Sequence, residues 1–413
     1  MTAAAAPVRA RLPFVAVVLA VGTFLMATSE FVVAGLLPEV AADFDIGVAQ
    51  AGLAITWFAI GMIVGTPVMV LTTLRLPRRS VLVLALLVFA AGHVVAALSG
   101  SFVLLLAARF LTAVATGAFW AISGLVAADA AGPAASGRAL GVIGAGGMLA
   151  NVVGVPLGSL AGQVAGWRGP FWALAVLAAL AAVVIARLVP HDRAAHRPTR
   201  VRDELVALRS GRLWLVLLAC AAVAGGTLSV FSFVSPLLTD RTGLPATAVP
   251  LALVLFGLGA LAGTLLGGRL GDAAPTATVL GAMAVTLAAV IALGAVSTMP
   301  VPTLVVFGVL GLAGLSANPI LGYLAIRFGG SAPTLASALT PSAFNLGTAV
   351  GTAVAAAALT GPLEELAPIA VGATSAALAL VVFGALVVVQ RSGKAAAAAL
   401  PGEGREPRLP VRG

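Results

Sequence analysis

Residues 13–37 read PFVAVVLAVGTFLMATSEFVVAGLL, an apolar run in which Glu30 is the single charge. The run exceeds the about 20 residues that a helix needs to cross a bilayer. Hydrocarbon admits only helices and closed barrels, and the run lacks the strict alternation of a barrel strand, so it predicts a membrane-spanning helix. A secretory signal peptide is the alternative, since Arg9 and Arg11 precede the run, but the apolar core of such a peptide is only about 7–15 residues long.

Runs of this kind continue along the whole chain. Of its 413 residues, 61% are hydrophobic and 9% are charged, whereas about 25% of the residues of a soluble domain are charged. So few charges could not cover the surface of a soluble protein, and the sequence therefore predicts an integral membrane protein. The twelve predicted spans are 13–37, 50–71, 80–98, 102–127, 139–163, 169–189, 213–239, 247–268, 277–297, 301–326, 334–360 and 367–390.

The charges between the runs predict the orientation. If the N-terminus is inside, almost every arginine falls in an inner gap; Arg168 and Arg241 fall outside, and Arg109 lies within a span. Basic residues concentrate on the cytoplasmic side of membrane proteins, so we expect both termini in the cytoplasm. This distribution also accounts for the net charge of +9, and we expect no nucleic-acid partner.

The chain is predicted to consist of two similar halves. A shift of 198 residues pairs Gly61 with Gly259 and Gly65 with Gly263, and it superimposes the first two spans on spans 7 and 8. The predicted fold is an all-α membrane protein with twelve transmembrane helices in two pseudo-symmetric six-helix bundles. Its parts are a cytoplasmic N-tail 1–12, bundles 13–190 and 213–390, a linker 191–212 with a short amphipathic helix over 201–208, and a C-tail 391–413.

Glycines at four-residue spacing mark spans 2, 5, 8 and 11. Glycine at this spacing lets helix backbones approach closely. Tight static packing is one interpretation. The other is a sliding interface between the halves, because the same spans carry the pattern in each half.

Two charges within the spans are candidate functional groups. Glu30 lies about 12 Å and Arg109 about 10 Å below the outer end of its span, at 1.5 Å per residue. Charges at such depth are costly and face a cavity or a partner, so we expect Glu30 to exchange a proton during a transport cycle. The alternatives are a structural acid bonded to a neighbouring helix and an arginine that reaches the outer headgroups.

Other polar and aromatic residues within spans could line a substrate cavity or bridge helices. These candidates are Phe31, Asn151, Phe231, Phe233, Asn318 and Asn345. His93 is expected to be part of the hydrogen-bonded structure. With three histidines and the single Cys220, no metal site and no cofactor is expected.

The span motifs resemble those of the major facilitator superfamily, in particular its twelve-span drug/proton antiporters, and most closely the actinobacterial chloramphenicol exporters. The resemblance rests on TSEF at 28–31 with GLLP at 35–38, on GVPLG at 154–158, and on FNLG at 344–347. It implies proton coupling through Arg109 together with Glu30. It also implies a conformational motif at Gly154, Pro156 and Gly158.

One departure concerns the loop between spans 2 and 3. The family has an aspartate there, which Leu74 replaces, although Arg75, Arg78 and Arg79 keep the basic part of the pattern. Asp272 in the repeat-related loop does match. A cytoplasmic gate built from these residues is therefore predicted to be asymmetric.

The predicted function is a proton-coupled efflux antiporter that exports a small amphiphilic drug, such as chloramphenicol, by alternating access. Its partners would be that small molecule, protons of the transmembrane gradient and the lipid bilayer, and we expect a monomer in a bacterial cytoplasmic membrane. Export of an endogenous sugar, purine or nucleoside-type metabolite is the alternative. A membrane-embedded enzyme or a sensor would need a catalytic constellation or an added domain, and neither is found.

Overall fold

The structure is a computed structural model that describes residues 13–73, 76–132, 135–189, 208–330 and 333–399. Within this part, twelve helices are long and apolar enough to cross a membrane, and no strand occurs. They confirm the twelve predicted spans. The helices are α1 (Phe14–Gly35), α2 (Val48–Met69), α3 (Arg78–Ala97), α4 (Phe102–Ala131), α5 (Ser136–Ala165), α6 (Arg168–Leu188), α7 (Gly211–Ser232), α8 (Ala246–Ala273), α9 (Pro275–Val296), α10 (Pro300–Phe328), α11 (Leu335–Leu359) and α12 (Glu364–Arg391).

The ends of the predicted spans needed correction in two places. Helix α7 ends at Ser232, and the predicted remainder to residue 239 forms a short helix Val234–Pro236 and a wide turn Leu237–Arg241. The helix that begins at Ala367 continues to Ala399, where a C-tail from residue 391 was predicted. The predicted tail 1–12, nearly all of the linker 191–212 and residues 400–413 lie outside the described residues.

The spaced glycines pack helices together inside each half. A Cβ on Gly65 of α2 would lie 2.7 Å from the Cα of Val114 in α4, and one on Gly158 of α5 would overlap Val32 in α1. The second half repeats this arrangement: Gly263 of α8 lies on the backbone of α10, and Gly347 of α11 lies on the backbone of α7. The sliding interface suggested by the sequence is therefore wrong for these glycines, which support tight packing within a half.

The halves meet along two pairs of helices, α2 with α11 and α5 with α8. On the first seam, the hydroxyls of Thr56 and Thr352 are hydrogen-bonded at 2.8 Å. On the second, Gly257 lies so close to α5 that a Cβ would overlap the carbonyl oxygen of Asn151. Gly257 is the close-approach glycine of this seam, and it lies outside the pattern singled out in the sequence.

The ends of the bundle differ in charge. The described arginines other than Arg109, Arg168 and Arg241 lie at the end where α1 begins, which we call the basic end. Near this end each half has its own apolar core. Near the opposite end a single apolar core, including Leu36, Leu253 and Phe256, runs through both halves. The halves are therefore joined at that opposite end and separate towards the basic end.

Two ion pairs at this joined end follow the internal repeat with reversed charges. In the first half Arg168 pairs with Asp43 at 2.7 Å and donates to the carbonyl oxygen of Ser99 at 3.0 Å. In the second half Arg241 lies 3.9 Å from Glu365 and donates to the hydroxyl of Ser297 at 2.8 Å. Positions 43 and 241, like 99 and 297, are 198 residues apart, whereas 168 and 365 are 197 apart. Each half therefore has an ion pair at this place, which we call the strut, and the positions of the arginine and the acid are exchanged between the halves.

Candidate functional site

A central cavity of about 380 Å³ lies between the halves. Its volume falls within the range of small-molecule sites. Towards the basic end its lining residues Trp120, Gly144 and Pro319 are exposed, so the cavity opens in that direction. Most of the lining is apolar, and its polar side chains are one acid, three asparagines and five hydroxyl residues.

Four of the six predicted cavity residues line this space, namely Phe31, Asn151, Asn318 and Asn345. Glu30 lines it as well, whereas Phe231 and Phe233 do not. Phe231 packs edge-on against Phe31 at 5.8 Å between ring centroids and belongs to the apolar core beyond the cavity. Phe233 is fully buried against Gly52 of the other half. Both phenylalanines close the joined end. Phe233 follows Ser232, where α7 ends and the chain bends away from the cavity, whereas Phe231 is still in α7 and lines a small pocket that shares Glu30 and Asn345 with the cavity.

Arg109 is buried in the first half with an exposed fraction of 1%. Its guanidinium donates to three backbone carbonyls, those of Ala54 at 3.3 Å, Ser29 at 2.8 Å and Glu30 at 3.3 Å. Its Cζ also lies 4.2 Å from the ring centroid of Phe58. Arg109 therefore ties α4 to α1 and α2. The alternative of an arginine reaching the outer headgroups is wrong.

A polar relay extends from Arg109 to His93. Arg109 Nη1 donates to the Ser29 hydroxyl at 3.1 Å, and this hydroxyl lies 2.9 Å from His93 Nε2. His93 Nδ1 is 2.8 Å from the carbonyl oxygen of Phe89, which can only accept, so Nδ1 carries the hydrogen. In the neutral ring Nε2 then accepts from Ser29. The expectation that His93 belongs to the hydrogen-bonded structure is confirmed.

The carboxylate of Glu30 faces the cavity. Arg109 contacts the backbone carbonyl of Glu30, while among the described residues no ion pair joins the two side chains within 4.0 Å. Nor does any hydrogen bond reach this carboxylate from the described part of the chain. The structure thus places an acid on α1 and a buried arginine on α4 side by side, with the acid open to the cavity.

The motif in α5 holds the helix that carries Glu30. Over Ala150–Gly154 the helix widens to a π-turn just before Pro156, which lacks an N–H and crowds the carbonyl four residues earlier. Gly154 and Gly158 then contact Thr28 and Val32 of α1 without an intervening side chain. The motif therefore fixes the rotation of α1 about its own axis.

The predicted gate residues lie at the basic end. Arg78 is bonded to Asp129 of α4, and Arg79 is its neighbour at the start of α3. Asp272 is exposed near the end of α8, and no ion pair joins it to any described residue. Arg75 lies outside the described residues. Nothing in this conformation brings the described gate residues of the two halves together.

Sequence reasoning singled out His93 as part of the hydrogen-bonded structure but missed two hydroxyl residues of the site. Ser29 joins His93 to Arg109, and Thr227 of α7 lines the cavity wall of the second half. Serine and threonine are common in membrane helices, where the hydroxyl usually bonds its own backbone. Only their tertiary partners distinguish these residues from the others.

Comparisons with known proteins agree on the family. The model of the Major Facilitator Superfamily matches residues 19–352. A chloramphenicol resistance protein of Streptomyces lividans is 37% identical over 374 residues, which cover 90% of this chain and 95% of that protein. The inner membrane transport protein YdhP of Escherichia coli K12 is 32% identical over 88% of this chain and 93% of its own length.

Solved structures agree on the fold. A bacterial homologue of the human lysosomal transporter Spinster, crystallised in an inward-facing and unoccupied conformation, superposes with a TM-score of 0.63 at 17% identity. The alignment covers 94% of this chain and 96% of that one. The chain, a multi-pass membrane protein of two six-helix halves around a cavity, therefore belongs to the Major Facilitator Superfamily of transporters.

Proposed function

We propose that this transporter is a proton-coupled antiporter that exports a small amphiphilic drug of the chloramphenicol type from the cytoplasm. The observation that carries the proposal is the unpaired carboxylate of Glu30 on the wall of the central cavity, next to the buried Arg109. Ionisable groups at this depth are functional by default because their burial is costly. A proton and a substrate can reach this acid through the same opening.

The distribution of charge supports the orientation assumed in this proposal. Arginines concentrate at the basic end, which is therefore assigned to the cytoplasm of a bacterial inner membrane. The cavity then opens inward, ready to take up cargo from the cell. Rocking the halves apart at the other end would separate Thr56 from Thr352 and Phe31 from Phe231, and would expose Glu30 to the outside.

The choice of cargo rests on the lining and on the relatives. A cavity with aromatic and aliphatic walls, three amides and one acid suits a neutral molecule with a few polar groups. The chloramphenicol resistance protein of Streptomyces lividans is 37% identical over nearly the whole chain. Export of an endogenous sugar, purine or nucleoside-type metabolite remains the second candidate, since the relative from Escherichia coli is named only as a transport protein.

The experiment compares Glu30→Gln with wild type in an efflux-deficient bacterial host and in proteoliposomes. Wild type should raise chloramphenicol tolerance, and substrate addition should drive protons across the liposome membrane. Glu30→Gln, which keeps the shape of the side chain, should abolish both effects at unchanged membrane expression. Asp45→Asn is the matched control, because Asp45 is exposed at the joined end and its left-handed backbone suits asparagine.

The outcomes separate the parts of the proposal. Full tolerance and proton movement in Glu30→Gln would refute the proton role. No tolerance in the wild type, with expression verified, would refute the amphenicol cargo and send the search to sugars and nucleosides.

A further inference from the structure

Two residues that line the central cavity each carry a buried oxygen without a hydrogen-bond partner in the described part of the chain. These oxygens are the hydroxyl of Thr227 in α7 and the amide oxygen of Asn318 in α10. Thr227 is 1% exposed. Other threonines of the membrane helices, such as Thr264 and Thr348, donate to the carbonyl four residues earlier. The described residues contain five buried polar side-chain atoms without a partner, and only these two belong to residues that line the cavity.

The two oxygens belong to one seam. Thr227 lies against Gly314 of α10, where a Cβ would overlap its hydroxyl. Asn318 follows Gly314 by four residues, across a short break in α10 after Ser316, and both residues line the cavity. Both therefore belong to the second half, whereas the acid Glu30 belongs to the first.

An unpartnered buried oxygen needs a donor. An amide oxygen only accepts, and a hydroxyl can accept as well. Leaving such atoms unsatisfied is costly, so this pair favours a ligand that brings an O–H or N–H to the seam. A ligand with only ether, nitro or halogen groups there would leave the Asn318 oxygen unpaired, and a site built in this way discriminates against it.

We propose that Thr227 and Asn318 form a donor-selective subsite on the second half, which takes a hydroxyl or amide N–H of a neutral cargo. This inference rests on the proposed export of an amphenicol-like molecule. The apolar part of the cargo then lies on the aromatic wall around Phe31 and Phe344, and the Glu30 carboxylate is left to the proton. The subsite sets which molecules are carried, while Glu30 and Arg109 set the coupling.

The test uses a pair of probes that differ in one donor. Florfenicol carries fluorine in place of the terminal hydroxyl of thiamphenicol. Binding to the purified full-length protein is measured for wild type, Thr227→Val, Asn318→Leu and Thr227→Ser. Wild type should prefer thiamphenicol by about five- to tenfold. The valine and leucine variants should bring this ratio close to one, and the serine variant should restore it.

A second measurement does not depend on the cargo. Replacing an unpartnered buried hydroxyl by the isosteric valine is neutral or stabilising, so Thr227→Val should keep or raise the melting temperature. The control is Thr242→Val, in the segment after α7 and outside the cavity, because the buried Thr242 hydroxyl donates across the fold to the carbonyl oxygen of Ser297 at 2.8 Å. That variant should melt at a lower temperature.

Each result decides a separate question. An unchanged binding ratio in both Thr227→Val and Asn318→Leu overturns the subsite. If wild type binds neither probe, the proposed amphenicol cargo is refuted. The melting temperatures then still test the subsite. A Thr227→Val protein that melts as low as Thr242→Val would overturn it, since the Thr227 hydroxyl would then be part of the structure.

Discussion

Replacement of His93 tests whether this ring positions Arg109 or carries a proton itself. In the structure His93 Nε2 accepts from Ser29, and the same hydroxyl accepts from Arg109. Both ring nitrogens are engaged as in a neutral imidazole. We therefore expect His93 to position Arg109 through Ser29, and we expect this role to need only a hydrogen-bond acceptor at the place of Nε2. Glutamine supplies such an acceptor and cannot titrate, whereas leucine supplies none.

The size of the effect follows from the bonds that are lost. In His93→Leu the Ser29 hydroxyl loses its acceptor and is free to turn away from Arg109, which costs a bond to a buried charge of about 1.5–3 kcal/mol. That range corresponds to an about 10- to 150-fold loss in coupled transport, since about 1.4 kcal/mol is tenfold. His93→Gln should remain within about threefold of wild type. The remaining contacts of Arg109 with the backbone carbonyls of Ala54, Ser29 and Glu30 keep it in place in both variants.

The assay is the initial rate of pH-gradient-driven transport in proteoliposomes, measured between about pH 6 and pH 9. The pH profile of His93→Gln should match that of wild type, while the rate of His93→Leu falls throughout. Size-exclusion behaviour and melting temperature serve as controls for folding, because His93 also packs against Phe89, with the ring centroids 4.1 Å apart. The reasoning is refuted if glutamine is as damaging as leucine or shifts the pH profile, since the imidazole would then carry protons. An unaffected His93→Leu would show that the relay does not hold Arg109.

Two further predictions concern the contacts between and within the halves. Gly257→Ala places a Cβ against the carbonyl oxygen of Asn151 and should separate α5 from α8. Gln163 of α5 donates across this seam to the carbonyl oxygen of Ala246 at 2.8 Å. A cysteine introduced at position 163 should therefore react with maleimide several-fold faster in the Gly257→Ala background. The control is Gly281→Ala, because a Cβ at this glycine meets no other atom. Equal labelling rates in the two variants would contradict the role of Gly257 in the contact between α5 and α8. The native Cys220 is buried, so we expect it not to react. Asp43→Arg should lower the melting temperature by about 1–3 °C, because it places two positive charges side by side at positions 43 and 168. The double variant Asp43→Arg/Arg168→Glu should recover most of the lost stability, because the second half has its arginine and its acid at the equivalent positions, as Arg241 and Glu365. A double variant no more stable than Asp43→Arg alone would show that the strut depends on more than its two signs.

The spans and the two deep charges could be predicted from the sequence because each depends on composition along a single helix, and the two halves could be predicted because the sequence repeats after 198 residues. A lone charge in an apolar run, such as Glu30 or Arg109, is conspicuous in any membrane protein. The partners of those charges could not be predicted. Ser29 and Thr227 have ordinary residue types for a membrane helix, and the sequence shows the histidine at position 93 without its contact to Ser29, because these contacts depend on which helix lies opposite.

The aromatic residues and glycines show the same limit. Phe31 lines the cavity while Phe233 is sealed in the joined end, because α7 breaks at Ser232 and the turn changes the direction of the following side chains. The spacing of glycines indicated close helix contacts correctly, but spacing does not identify the neighbour. The pattern marks the face of a helix, and the fold decides whether that face meets its own half or the other one.

The backbone contacts at Gly65, Gly158, Gly263 and Gly347 bear on how a genetic selection for lost resistance should be interpreted. Larger residues at these positions would prevent the helices of one half from assembling, so such variants would be recovered as readily as changes at Glu30. They would fail during insertion and assembly, before any transport cycle begins. Gly257, which touches the other half, is where a similar change can leave both halves folded and impair their relative movement. Variants that lose resistance while the amount of the transporter in the membrane stays unchanged are therefore the ones that are informative about the transport cycle.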